Sequence, residues 1–252
     1  YYEVTHASTA KAAEALLDAV GCAGEAARTL RLLDVACGPG YSAGLAAARG
    51  AQAEGIDFAP AMARKAKSLY PAARFSEGDA EDLPYPDATF DAVVCAFGLL
   101  HFADPDKAMR EARRVLRPRG VYAFTVWRPA DEVETFKIFQ GAIAQHGSLE
   151  VPLPESPPMF RFADEAEARR SLEAAGFRDI QTSRIVIHRR SSPTALLDNL
   201  TKATVRTRAL FDAQAESAKP KIRSEIVARA TALMVERASG EVLELEMPAV
   251  LA

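Results

Sequence analysis

The sequence has little of what cross-links a protein or anchors it in a membrane. Its three cysteines, at positions 22, 37 and 95, form no Cys-x-x-Cys pair and no cluster with histidine. Neither a disulfide framework nor a metal site is therefore expected. No uncharged apolar run reaches about 18 residues, so no membrane-spanning helix is expected. The absence of an internal repeat excludes solenoids and propellers, and a net charge of −3 disfavours nucleic acid or a membrane surface as the main partner.

Apolar residues are abundant enough for a folded core. They make up 49% of the 252 residues, while charged residues make up 26%. This composition excludes wholesale disorder and fits one large domain. Because unpaired thiols suit a reducing compartment, we expect a cytoplasmic protein.

Short apolar runs alternate with longer amphipathic stretches in the first half of the chain. A first helix is expected to begin at Ser8 or Thr9 and to stop at Gly21. Later helices include one from Pro105 to Leu116, with Asp104 as its N-cap. Five apolar runs predict strands: 30–37, 51–58, 73–79, 90–99 and 121–127. This alternation predicts an α/β fold, a parallel sheet with helices on both faces.

The rhythm changes after Arg128. A helix over 133–146, a proline-rich connection and a helix beginning at Asp164 precede a strand over 177–189. Two further helices, from Ser192 and Pro220, come before a last strand over 241–245. We expect a single domain over 1–252, in which segments 129–160 and 193–238 are insertions that form a substrate lid.

A glycine-rich turn and an acid after the next strand predict a nucleoside site. Gly38-Pro39-Gly40 lies between a strand and a helix, where glycine lets the backbone approach a ligand closely. Asp57 ends the next strand, where a carboxylate can accept bonds from both ribose hydroxyls. A tight turn without a ligand, and an N-cap role for Asp57, are the alternatives. The spacing also fits a dinucleotide fingerprint, so these two features do not choose the ligand.

A third group of residues, Gly78 to Pro84 followed by Phe90-Asp91, completes a wider pattern. With Asp34 to Gly40 it strongly resembles the class I S-adenosylmethionine-dependent methyltransferases, in the small-molecule branch that includes ubiquinone and menaquinone biosynthesis methyltransferases. The resemblance runs through LLDVACGPG, GIDFAPAM, EGDAEDLPYPDATFDAVVCAFGLLHFADP and EARRVLRPRGVYAFTVW. It implies a Rossmann-like, doubly wound, mostly parallel seven-stranded sheet with an antiparallel last strand and a helical lid insertion.

The resemblance also implies a binding role for individual residues. The methionine part of S-adenosylmethionine would be contacted by Asp34, Ala36, Gly38 and Gly40. The family most often has Gly where this chain has Ala36. Asp57 would hold the ribose, Phe58 and Met62 would enclose the adenine, and Asp79 and Ala80 would bind the adenine edge. Ala96 and Phe97 would border the methyl-transfer side. Core packing is the alternative for Phe58 and Met62.

The acceptor side is less specific. His101 follows the fourth strand and is the candidate general base for a phenol or amine acceptor, with a structural role as the alternative. The apolar face of the helix containing Ile222 and Ile226 could close a substrate pocket or form a homodimer seam. Arg189 and Arg190 are expected to be solvated, or to bind an acidic substrate.

Three functions follow from these features. The first is transfer of a methyl group from S-adenosylmethionine to a small-molecule acceptor. An NAD-dependent oxidoreductase is the second, although the sequence has no Tyr-x-x-x-Lys pair. The third is a non-catalytic binding module built on a methyltransferase fold.

Overall fold

The computed structural model describes residues 2–152, 157–203, 205–236 and 243–252. The helices are α1 (Tyr2–Ala19), α2 (Gly24–Ala27), α3 (Tyr41–Ala48), α4 (Pro60–Leu69), α5 (Pro105–Val115), α6 (Glu134–His146), α7 (Glu165–Ala174), α8 (Leu196–Ala203), α9 (Val205–Asp212) and α10 (Lys219–Glu236). The strands are β1 (Arg31–Val35), β2 (Gln52–Asp57), β3 (Arg74–Glu77), β4 (Phe90–Ala96), β5 (Leu116–Trp127), β6 (Ser183–Ser191) and β7 (Leu243–Leu251). Within these ranges, no helix combines the length and apolar character needed to cross a bilayer.

The strands form one seven-stranded sheet in the order β3-β2-β1-β4-β5-β7-β6. The pairs β1–β2, β1–β4, β2–β3 and β4–β5 are parallel, whereas β7 runs antiparallel to β5. Helices α8, α9 and α10 separate β6 from β7 along the chain. The predicted fold class, a doubly wound mostly parallel sheet with an antiparallel last strand and a helical insertion, is confirmed.

The central strands are apolar on both faces because helices cover both faces. Leu32 of β1 packs in a cluster with Leu16 and Leu17 of α1. Its neighbour Leu33 points the other way, into a cluster with Ala112 of α5, as the two-residue period of a strand requires. Near-continuous apolar runs are therefore the signature of this parallel sheet.

Some predicted boundaries are wrong. Helix α1 already runs at Tyr2, so neither Ser8 nor Thr9 begins it. Strand β5 begins at Leu116, which pairs with Phe90, and thus includes a segment predicted only to end α5. Strand β7 extends six residues beyond the predicted end at 245. The predicted N-cap is confirmed, since the Asp104 side chain accepts from the Lys107 N–H at 2.8 Å.

The chain divides into two compact units. We call residues 9–127, 156–185 and 249–252 the sheet unit, and residues 1–8, 128–155 and 186–248 the helical unit. The helical unit overlaps both segments predicted as insertions, of which residues 153–156, 204 and 237–238 lie outside the described ranges. Their role as a substrate lid stays a prediction.

The helical unit has its own core. Ile222, Ile226 and Ala230 of α10 are fully buried in a cluster with Phe139 and Ile143 of α6. The α10 face proposed from sequence as a pocket cover or homodimer seam is therefore used inside its own unit, and both interpretations of that face are wrong.

Arg189 of β6 corrects another expectation. Only 3% of this residue is exposed, and burial lowers the pKa of its guanidinium to about 10. It is not a solvated charge. The sequence misleads here because arginine is rarely buried, whereas this arginine lies on β6 with almost no exposed surface.

Gln214 fixes the end of α6 and gives a stability prediction. Its Oε1 accepts from Ser148 N–H at 2.9 Å, and its Nε2 donates to the carbonyls of Ser148 and Leu210 at 2.8 and 2.9 Å. Because this side chain is buried, Gln214→Ala is expected to lower the free energy of unfolding by about 2 kcal/mol. Urea denaturation measures the loss. The exposed control Gln181→Ala should change it by less than about 0.5 kcal/mol, and equal stability of both variants would contradict the assignment.

Candidate functional site at the carboxyl ends of the strands

The turn between β1 and α3 presents bare backbone to open space. Gly38 has a φ of +53°, and a Cβ built there would meet no atom within 4 Å. Gly40 differs, because its Cβ would lie 2.7 Å from the Ala66 Cβ and the Phe75 ring. Gly38 therefore leaves room for a ligand, while Gly40 permits the turn to pack closely on α4 and β3.

Asp57 fixes this turn from the neighbouring strand. Its Oδ2 accepts from the Gly38 N–H at 2.7 Å, and its Oδ1 accepts from the Ala59 N–H at 2.9 Å. The N-cap of α4 is Ala59, without a side-chain cap, so the N-cap interpretation of Asp57 is wrong. A carboxylate oxygen has more than one lone pair, so Asp57 can hold the turn and still accept from ligand hydroxyls.

Asp34 lies beneath the same turn and is 1% exposed. Its Oδ2 accepts from the Ala43 N–H at 3.1 Å, whereas Oδ1 has no hydrogen-bond partner among the described residues. Burial, with the nearby charge of Asp57, raises the pKa of Asp34 to about 8 against the bond from Ala43. An unsatisfied buried carboxyl oxygen fits a ligand that brings a cationic or donor group.

The residues expected around an adenine follow β2 and β3. These strands are parallel neighbours, with Asp57 opposite Glu77, so Phe58 and Asp79 lie at one edge of the sheet. Phe58 is 81% exposed, and its interpretation as core packing is therefore wrong. Met62 is half-buried and Ala80 is buried. Asp79 Oδ1 accepts from the Glu81 N–H at 2.8 Å, which shapes the turn after β3.

The acceptor-side candidates follow β4. Ala96 ends the strand, and Phe97 comes next with a φ of +56°. His101 is exposed at the end of a 3₁₀ turn over Leu99–His101. All of these residues belong to the sheet unit.

Sequence reasoning missed Trp127. Its indole stacks on Phe97, with ring centroids 3.9 Å apart and an interplanar angle of 12°. It could have been found, because it is the chain's single tryptophan and ends a predicted strand, and ligands bind at the carboxyl ends of parallel strands.

Ala36 is strained where it stands. Its φ of +54° lies in the left-handed region that costs an L-residue about 1–2 kcal/mol. Since glycine adopts this region freely but loses more chain entropy on folding, Ala36→Gly is expected to raise the free energy of unfolding by about 0.5–1 kcal/mol. Chemical denaturation tests this. Ala88→Gly, at another left-handed position, should give a similar gain, and a loss in both variants would refute the backbone explanation.

Comparisons with known proteins match this part of the chain. A family model described as "Methyltransferase domain" matches residues 33–124. A demethylmenaquinone methyltransferase from Deinococcus radiodurans is 38% identical over 165 residues, which cover 59% of this chain and 68% of that protein. One from Thermus thermophilus is 48% identical over 96 residues, covering 36% of this chain and 44% of that protein. The chain thus spans about two thirds of one relative and less than half of the other.

A solved structure extends the comparison of folds. The YcgJ protein from Bacillus subtilis superposes with a TM-score of 0.57 at 20% identity, and the match covers 96% of each chain. This likeness concerns the fold alone. The function must be argued from the site.

Proposed function

Because the chain belongs to the class I S-adenosylmethionine-dependent methyltransferases, we propose that it transfers a methyl group from S-adenosylmethionine to a small-molecule acceptor. The observation that carries this proposal is the arrangement beneath the glycine turn. Asp57 binds the Gly38 N–H, Asp34 keeps a buried unsatisfied oxygen, and Gly38 borders open space.

The residues present fit the cofactor. In this proposal the carboxyl of Asp34 faces the cationic methionine end, directly or through water, and the open backbone of Gly38 borders the same part, together with Ala36 and Gly40. Asp57 accepts from the ribose hydroxyls. The exposed ring of Phe58 covers the adenine together with Met62, and Asp79 and Ala80 meet its polar edge. Bound S-adenosylmethionine supplies an activated methyl group that carries its own leaving group.

The chain's own contribution to the reaction is then orientation and proton removal. Ala96 and Phe97 border the place where the acceptor meets the methyl group, and proximity supplies much of the rate enhancement. His101 accepts a proton if the acceptor is a phenol or an amine. The relatives' name makes a demethylmenaquinone-type ring the first acceptor to test.

We assign acceptor specificity to the helical unit. The matched family segment, residues 33–124, lies wholly within the sheet unit. A unit with its own core outside that segment is suited to carry what differs between family members.

Calorimetric titration with S-adenosylhomocysteine tests the cofactor part of the proposal. Micromolar binding by the wild type is expected, and no binding by folded, ligand-free protein would refute it. Parallel titration with NAD tests the oxidoreductase alternative. Labelled S-adenosylmethionine with a panel of quinol, phenol and amine acceptors then separates an enzyme from a non-catalytic module, which would bind the cofactor without transfer.

Location and assembly complete the proposal. The three cysteines are buried free thiols, which supports a cytoplasmic location. The mildly acidic composition supports a small molecule, rather than nucleic acid, as the partner. We also propose a homodimer, without assigning a surface to it. Light scattering tests the dimer, and a mobility-shift assay with duplex DNA and RNA tests the exclusion of nucleic acid.

A further inference from the structure

Two of the left-handed residues differ from the others. Among described non-glycine residues with positive φ, Ala88, Arg119 and Asp179 are exposed, whereas Ala36 and Phe97 are not. The latter two follow β1 and β4, which are parallel neighbours. Backbone strain that persists away from exposed turns concentrates at functional sites, where surrounding structure enforces it.

An aromatic stack enforces the conformation of Phe97. A bulky L-residue with φ of +56° is a genuine outlier. Its ring lies 3.9 Å from the Trp127 ring, nearly parallel, and its N–H donates to the Thr125 carbonyl at 3.0 Å. Trp127 and Thr125 both belong to β5, so the last three residues of this strand hold Phe97 in place.

The enforced turn leads directly to His101. The His101 N–H donates to the Gly98 carbonyl at 2.9 Å, and the intervening Leu99 and Leu100 are buried. The imidazole is exposed, on a backbone that is anchored at both ends. The direction of this turn is therefore set by the conformation of Phe97.

The same turn is in contact with the turn after β1. A Cβ on Gly98 would lie 2.8 Å from the Ala36 Cβ and 2.6 Å from Cys95 Sγ. Because packed interiors transmit strain rather than absorb it, a shift of the turn after β1 is passed to residues 97–101.

We propose that Trp127 is a positioning residue for methyl transfer, whose stack on Phe97 holds the turn of residues 97–101 and hence the His101 imidazole in its working orientation. This inference rests on the proposed function. Trp127 acts through Phe97 and takes no part in proton transfer.

The test compares four variants of the full chain. Trp127→Leu removes the stack, whereas Trp127→Phe keeps an aromatic partner. Phe97→Gly removes the ring but relieves the backbone strain. It is therefore expected to fold, and it serves as the test if Trp127→Leu fails to fold. Ala88→Gly is the matched control, because it relieves the same kind of strain at an exposed position.

The first readout needs no acceptor. With labelled histidine, the His101 resonance is identified among the four histidines by its loss in His101→Gln. S-adenosylhomocysteine should shift this resonance in the wild type, in Trp127→Phe and in Ala88→Gly. The shift should vanish in Trp127→Leu and Phe97→Gly, while the Kd of Trp127→Leu for the ligand stays within about threefold of the wild-type value. With an acceptor, kcat should fall at least about tenfold in these two variants without a matching rise in KM for S-adenosylmethionine.

The outcomes separate this inference from the proposed function. A wild-type His101 shift and kcat in folded Phe97→Gly or Trp127→Leu would overturn the positioning role. A parallel loss of ligand affinity in Trp127→Leu would also overturn it, since that result makes the stack a support for the cofactor site. Failure of the wild type to bind S-adenosylhomocysteine refutes the proposed function instead.

Discussion

Asp57→Ala is expected to raise the Kd for S-adenosylhomocysteine about 100-fold. The variant loses a charged acceptor for the ribose hydroxyls, and hydrogen bonds to charged groups contribute about 1.5–3 kcal/mol. A loss of about 2.7 kcal/mol corresponds to 100-fold. It also releases the Gly38 N–H, now held at 2.7 Å, so the turn loses its support from β2. Calorimetric titration at constant pH and salt measures the change.

Two companion variants make the Asp57 result specific. Asp57→Asn keeps one oxygen acceptor and loses the charge, so a smaller rise of about tenfold is expected. Asp131→Ala removes an exposed carboxylate of the helical unit and should leave the Kd unchanged. A Kd within about threefold of wild type in folded Asp57→Ala would count against a ribose at this position.

The sheet and the glycine turn could be predicted because their causes are local in sequence. A strand buried on both faces needs a continuous apolar run, as in β1 and β4. The turn needs positive φ at Gly38 and close packing at Gly40. Asp57 was found by its distance in sequence from that turn, and the structure adds that it binds the turn directly.

What could not be predicted depends on contacts between distant segments. The apolar stripe of α10 has the same pattern whether it covers a pocket, a partner or its own core, and only packing against α6 settles the choice. Trp127 and Phe97 are thirty residues apart, and their stack follows from the pairing of β4 with β5. Burial of Arg189 likewise follows from packing rather than residue type.

Asp34 should make the stability of the ligand-free protein depend on pH. Burial raises its pKa from 3.8 to about 8 in the folded state, so the unfolded chain releases this proton at lower pH. The contribution of Asp34 to the free energy of unfolding is therefore greatest below about pH 4, and it is lost as the pH rises towards 8. At about 1.4 kcal/mol per unit, the contribution amounts to several kcal/mol across this window.

Asp34→Asn isolates that contribution. The amide keeps an oxygen acceptor for the Ala43 N–H but cannot ionise, so its free energy of unfolding should lose the downward slope that Asp34 imposes between pH 5 and 8. Urea denaturation at several pH values, on ligand-free wild type and variant, gives the difference. Parallel curves for the two proteins would refute the assignment, because other titrating groups are common to both.

Ligand binding should change Asp34 from its protonated to its ionised form. A cationic group at its unsatisfied Oδ1 favours the carboxylate, so binding of S-adenosylhomocysteine near pH 7 is expected to release up to about one proton. Calorimetry in buffers of different ionisation enthalpy counts that proton. In the wild type, the affinity for S-adenosylhomocysteine should rise with pH up to about 8. In Asp34→Asn the affinity should be at least about tenfold lower and should no longer depend on pH in this way. Equal proton release by both proteins would assign the proton to another group and remove Asp34 from the cation's surroundings.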